Sequence, residues 1–242
     1  MDWWTGILSF FVMLGAGFVQ RVSGFGLGIF AMIFLPYGMP AQAASAMSSI
    51  VSCVATGSNS VRYRKDIRFR IALPMVCAAL LTIPLAVYFS ARVSGDLFQI
   101  LLGSILVLLS LFFLLLQKRI SMKPTMLNGV IAGALGGTLG GLFSTGGPPA
   151  VLYLTNATDS KLSYFATIQF YFLLTNLYTT ATRAFHGMIT RQVLLCSAVG
   201  IMGSLAGDAL GKLVFDKLDG NKLKRIIYIG MIVSGLLMIF RI

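Results

Sequence analysis

The chain contains no glutamate; all seven of its acidic residues are aspartate. Glutamate is a common general base and proton carrier, so its absence, with only one histidine (His186), leaves little for acid–base catalysis. Neither a G-x-S-x-G nor an H-E-x-x-H stretch occurs, no catalytic constellation emerges, and the chain reads as a non-enzyme. Cysteine is scarce: Cys53, Cys77 and Cys196 lie singly inside apolar segments without C-x-x-C spacing, which indicates neither a disulfide framework nor a metal site. No metal and no cofactor is expected. Charge is scarce as well, at 11% of residues against about 25% in soluble domains.

What is present is apolar surface, 57% of the 242 residues. Apolar runs recur at 5–19, 24–38, 41–61, 71–90, 97–116, 126–143, 147–157, 162–182, 192–211 and 226–240, which leaves little chain for anything outside a bilayer. The net charge of +12 would suggest nucleic acid in a soluble protein. Here the basic residues sit in short loops between apolar runs, where lipid headgroups and topology account for them, so nucleic acid is not expected as a partner. The start, Met1-Asp2-Trp3-Trp4, has no basic region ahead of an apolar run, which argues against a cleaved signal peptide; the Trp pair fits a membrane interface.

Sliding the chain by 122 residues, close to half its length, pairs Gly15 with Gly137, Ser23-Gly24 with Thr145-Gly146, Ser45 with Thr167 and Ile67 with Ile189. The order of features also repeats: a glycine-rich break, a short apolar run, a hydroxyl-rich helix, a polar loop and two long apolar helices. Residues 1–120 and 121–242 therefore read as two repeats of one integral membrane domain. Basic residues crowd into loops 62–70, 117–123 and 212–225, while the loops carrying Arg92 and Arg183 with Arg191 are poorer, which predicts that the three rich loops are cytoplasmic. The rich loop precedes the fourth segment in one half and follows its counterpart in the other, so the halves are expected to have opposite topology, an architecture of transporters. The second segment of each half, 24–38 and 147–157, would span only about 22 and 16 Å as helix, short of a hydrocarbon core of about 30 Å. The first two segments of each half are thus predicted to form a hairpin or broken helix meeting its counterpart at mid-membrane.

The second break, "STGGPP", has the chemistry of a helix start. Ser144 or Thr145 can cap, Gly146 and Gly147 permit tight geometry, and Pro148-Pro149 suit a first turn. A helix that begins inside the membrane presents free N–H groups and a positive dipole end, which favours an anion. The first break, "QRVSGFG", adds a cation: Arg21 near the bilayer centre costs about 2.5 to 3.5 kcal/mol on insertion scales, and a bound oxyanion held with Ser23, Gly24, Phe25 and Gly26 would be its partner. The third segments add polar lining, with Ser48, Ser49, Ser52, Asn59, Gln169, Asn176 and Arg183; Gln169 and Asn176 are seven apart and share a face. Asp208 lies inside an apolar segment and is a candidate for carrying a coupling proton, with a structural role as its alternative. Gly203, Gly207 and Gly211 have the four-residue spacing of helix packing.

The stretches "GFVQRVSGFGLGIFAMIFLPYGMPAQAASAMSSI" and "GALGGTLGGLFSTGGPPAVLYL" resemble the TauE/SafE family of sulfite exporters and 4-toluene sulfonate uptake permeases. The resemblance covers the whole chain and implies a multi-pass carrier of the bacterial inner membrane for small sulfur-containing anions, sulfite or organosulfonates such as sulfoacetate. It carries Arg21, Ser23, Gly24, Phe25 and Gly26 to one break and Thr145, Gly146, Gly147 and Pro148 to the other. "SGFG" and "TGGPP" depart from the family's usual glycine triplet, which leaves the particular substrate undecided. The expected function is export by alternating access, coupled to protons or the membrane potential. A passive anion channel, an uptake carrier for thiosulfate or sulfate, and a scaffold without a ligand are the alternatives. The expected partners are the small anion, the lipid bilayer and, as an open expectation, a second copy in a homodimer.

Overall fold

A computed structural model describes residues 3–116, 122–214 and 220–240. The expected loops at 117–123 and 212–225 fall in part outside the described residues. The described chain is helical, without strand: α1 (Trp3–Ser23), α2 (Leu27–Phe34, continued by a 3-10 turn at Leu35–Tyr37), α3 (Ala41–Arg62), α4 (Phe69–Arg92), α5 (Gly95–Leu111, ending in a π turn at Phe112–Leu116), α6 (Met126–Phe143), α7 (Gly147–Ala157), α8 (Lys161–Phe185), α9 (Arg191–Val214) and α10 (Gly220–Phe240). Among the described residues five helices are long and apolar enough to cross a membrane: Trp3–Ser23, Phe69–Arg92, Gly95–Leu115, Met126–Phe143 and Arg191–Leu213. The protein is a multi-pass membrane protein.

The expected breaks are present. The chain turns at Gly24–Gly26 between α1 and α2, and at Ser144–Gly146 between α6 and α7. With 8 and 11 residues, α2 and α7 extend about 12 and 16 Å, well short of a bilayer core. Each folds back on the helix before it: Phe30 of α2 lies against Gly15 of α1, and Tyr153 of α7 against Gly129 of α6.

The two sets of five helices pack across each other in matching fashion. Helix α1 lies along α9, α6 lies along α4, α3 crosses α8, and α5 pairs with α10. Glycine permits the closest of these crossings. A Cβ at Gly207 would overlap the Leu14 carbonyl of α1, and one at Gly133 would overlap the Met75 carbonyl of α4. The packing role expected for Gly203, Gly207 and Gly211 is thus observed, since all three face α1. Outward faces carry large apolar side chains such as Leu81, Leu85, Leu108 and Leu213, suited to lipid. Helices α3 and α8 are long enough to span but too rich in hydroxyls and amides to rank with the apolar five, because they occupy the centre. Trp3 and Trp4 are exposed at the start of α1.

Candidate anion site

The two breaks touch. Gly28, in the first turn of α2, packs so closely on the Ser144 carbonyl that a Cβ would overlap it, and Phe25 lies 3.0 Å from where a Gly147 Cβ would stand. The turns that bring them together use the left-handed region: φ is 82° at Gly24, 102° at Gly26 and 58° at Ser144. A non-glycine residue there is uncommon and needs support from its surroundings. Ser144 has it, because its hydroxyl donates to the Ser45 carbonyl at 2.9 Å and accepts from Arg183 Nη1 at 2.9 Å. The Ser23 side chain holds the other turn, lying 2.8 Å from the Val19 carbonyl and accepting the Phe25 N–H at 3.4 Å.

Between the breaks and the central helices lies a cavity of about 40 Å³, lined on one side by Gly26 to Ile29 of the first break and Ser144 to Gly147 of the second. Opposite them stand Gln20, Ser52 and Thr56, and, from α8, Tyr171, Phe172, Thr175, Asn176 and Thr179. Roughly 10 to 15 Å³ on this measure admits one water, so the space is that of about three waters or one small oxyanion. Among the described residues, no Asp, Glu, Lys, Arg or His lines it. Its polarity comes from the starts of α2 and α7, whose first N–H groups have no intrahelical acceptor, and from side-chain hydroxyls and amides. Pro148 and Pro149 withdraw two such donors from α7, so α2 supplies more of them. Thr145 is 1% exposed and its Oγ1 is unpartnered.

Cations stand at either end of this neutral cavity, and α8 serves as a ruler. Tyr171 to Thr179 spans about 12 Å at 1.5 Å per residue; Phe165 lies about 9 Å before it and Arg183 about 6 Å beyond. At the near end, Arg21 donates from Nη2 to the Tyr63 hydroxyl at 2.7 Å and from Nη1 to Asn59 Oδ1 at 3.3 Å, with its guanidinium 5.3 Å from the Phe165 ring centre. At the far end, Arg183 is 0% exposed. It donates to the Ser45 carbonyl at 2.6 Å, Ser45 Oγ at 2.6 Å, Ser144 Oγ at 2.9 Å and the Gly141 carbonyl at 3.0 Å. Every one of these acceptors is uncharged.

Residues 9–238 match the family model described as sulfite exporter TauE/SafE. The chain belongs to the TauE/SafE family. A curated relative, the probable sulfite/organosulfonate exporter TauE of Cupriavidus necator, is 22% identical over 213 residues, covering 85% of this chain and 83% of that protein. No solved structure matches. The family is one of transporters.

In this TauE/SafE protein the residues expected at the site divide into two groups. Gly26, Ser144, Thr145, Gly146, Gly147 and Asn176 line the cavity; Phe25 packs behind Gly147. Arg21 does not line it, nor do Ser23, Gly24, Gln169 and Asp208. Gln169 is one layer below: its Nε2 donates to the Gly24 carbonyl at 2.8 Å and its Oε1 accepts from Gln20 Nε2 at 3.1 Å. Asp208 Oδ1 accepts from Asn59 Nδ2 at 3.4 Å, so Asn59 bridges Arg21 and Asp208 on the far side of α1. Ser48 and Ser49 bond back to their own helix and do not line the cavity. Arg183, counted above both with the polar lining and with a poorly charged loop, sits in the last turn of α8, wholly buried, and reaches Ser144 without lining the cavity itself. Charge counting misplaced it because it cannot tell a basic residue at a helix end from one in the loop that follows. Gln20, Thr56, Thr175 and Thr179 also line the site. The signal for the α8 pair was their four-residue spacing, and for Gln20 its place beside Arg21 ahead of the break.

Proposed function

We propose that the protein exports a small sulfur oxyanion, sulfite or a short organosulfonate, across the bacterial inner membrane by alternating access, with the cavity between the breaks as its central site. One observation carries this reading: two helix starts and the Thr145 hydroxyl converge on a cavity without charged side chains, backed by the wholly buried Arg183. Such a site favours negative charge through fixed dipoles and one indirect cation. Its size favours sulfite over a bulky aromatic sulfonate, and a short organic tail would rest on Tyr171 and Phe172.

The matching packing of α1 on α9 and α6 on α4 supports two inverted repeats that rock about the site, with loops 62–70, 117–123 and 212–225 on the cytoplasmic side. Arg21, with Tyr63, Lys161 and Phe165 beside it, then forms a basic vestibule on the cytoplasmic path to the site. Export of an anion from a negative interior runs down the membrane potential. Counterflow of labelled sulfite in proteoliposomes tests the reading: saturable exchange is expected. Single-channel currents would instead identify a passive anion channel, and inward accumulation of thiosulfate or sulfate an uptake carrier.

A further inference from the structure

The amides on the near side of the cavity have a fixed sense. A carbonyl only accepts, so the Gly24 oxygen requires the nitrogen of Gln169, at 2.8 Å, and turns Gln169 Oε1 toward Gln20. That oxygen in turn requires the nitrogen of Gln20, at 3.1 Å. Gln20 Oε1 is therefore an acceptor by elimination. It has no hydrogen-bond partner, although Gln20 is 3% exposed and lines the cavity. Among the described residues, the Thr145 hydroxyl, from the second break, is the other unpartnered buried side-chain group on the same cavity. Buried polar groups are nearly always bonded to protein, water or ligand, so on this cavity both atoms are positions for a ligand or an ordered water.

An oxyanion that only accepts meets half of this requirement. Its oxygens would take the Thr145 O–H and the free N–H groups of α2, but they would face Gln20 Oε1 lone pair to lone pair. A second negative charge would also find no cation among the lining residues. We propose that the bound species is a monoanion carrying its own hydrogen-bond donor: hydrogen sulfite, or a sulfonate with a hydroxyl beside its head group, in preference to the sulfite or sulfate dianion. The donor O–H bonds Gln20 Oε1 while the anionic oxygens face the helix starts. This rests on the reading of the cavity as a sulfur-oxyanion site. Its consequence is that each exported hydrogen sulfite carries a proton out on the substrate, with no need for a titrating side chain in the cavity.

The test uses purified full-length protein in detergent and compares methanesulfonate, which only accepts, with hydroxymethanesulfonate, which adds one hydroxyl. Hydroxymethanesulfonate is expected to bind at least about tenfold tighter, a difference typical of one hydrogen bond to a buried acceptor. Sulfite, titrated from about pH 6 to about pH 8, is expected to weaken as hydrogen sulfite is lost. In Gln20→Met both preferences should flatten. Equal binding of the two sulfonates to the wild type, or sulfite affinity independent of pH, overturns the inference while leaving the anion site standing. Failure of all three anions to bind overturns the proposed function, and this inference with it.

Discussion

The charge of Arg183 is the term most open to direct measurement. Its Nη1 is 2.9 Å from Ser144 Oγ, and Ser144 lines the cavity, so an anion against Ser144 sits roughly 7 Å from the guanidinium carbon. At an effective dielectric of about 20, two unit charges at that distance attract by about 2 kcal/mol, or roughly thirtyfold in affinity. Arg183→Gln removes the charge while keeping a donor for Ser45 or Ser144, and Arg183→Lys keeps the charge with fewer bonds. Both variants lose contacts to the Gly140 and Gly141 carbonyls, so both should melt at lower temperature than the wild type.

Affinity separates the two effects. By isothermal titration with sulfite, the Gln variant is expected to bind roughly thirtyfold more weakly, and the Lys variant within a few-fold of the wild type. If both variants weaken equally, Arg183 acts by holding Ser144 in place and not through its charge. If a folded Arg183→Gln protein binds with wild-type affinity, the electrostatic reasoning fails.

Other perturbations have opposite signatures. Thr145→Val removes an unpartnered buried hydroxyl at nearly constant shape, so thermal stability without ligand should hold or rise, while sulfite affinity falls by about tenfold or more. Gly28→Ala drives a methyl group into the Ser144 carbonyl; separating the breaks should abolish sulfite-dependent thermal stabilisation even where folded protein is recovered. Gly207→Ala forces α9 off the Leu14 carbonyl of α1, and should lower the melting temperature while leaving the affinity of the remaining folded protein unchanged. Arg21→Gln, outside the cavity, should slow sulfite flux at low ionic strength, as loss of a steering charge does, with little change in equilibrium affinity; a thirtyfold loss of affinity would return Arg21 to the site.

Membrane character, the positions of the two breaks and about a third of the cavity lining were legible in the sequence, because each follows from local rules. Runs of apolar residues need no partner to be recognised, and Gly, Ser, Thr and Pro in the order "STGGPP" set a helix start whatever surrounds it. The roles of the arginines were not legible, because they depend on how far a long side chain reaches and in which direction. Arg21 is next to a break in sequence, yet it occupies the last turn of α1 on the face toward α3 and α9, so its guanidinium reaches Asn59 and Tyr63. Arg183 is 38 residues from Thr145, and no periodicity relates them; only the crossing of α3, α6 and α8 brings it behind Ser144. Gln20 shows the same limit, since the sense of its amide, and with it the unpartnered Oε1, follows from a hydrogen bond to Gln169 on the other half of the chain.

In the proposed site the separation of cation from ligand has a physical logic for a carrier. A guanidinium in direct contact with a sulfur oxyanion would form short, charge-assisted bonds that hold the ligand on both sides of the membrane and slow its release. Interposing the Ser144 hydroxyl keeps a long-range attraction of a few kcal/mol and leaves the direct contacts to hydroxyls and backbone N–H groups. Those direct contacts come from both breaks, which belong to different halves of the chain. Any rocking of one half against the other would pull Gly28 away from Ser144 and split the donor set, so the geometry proposed to bind the anion is also the geometry that movement would dismantle.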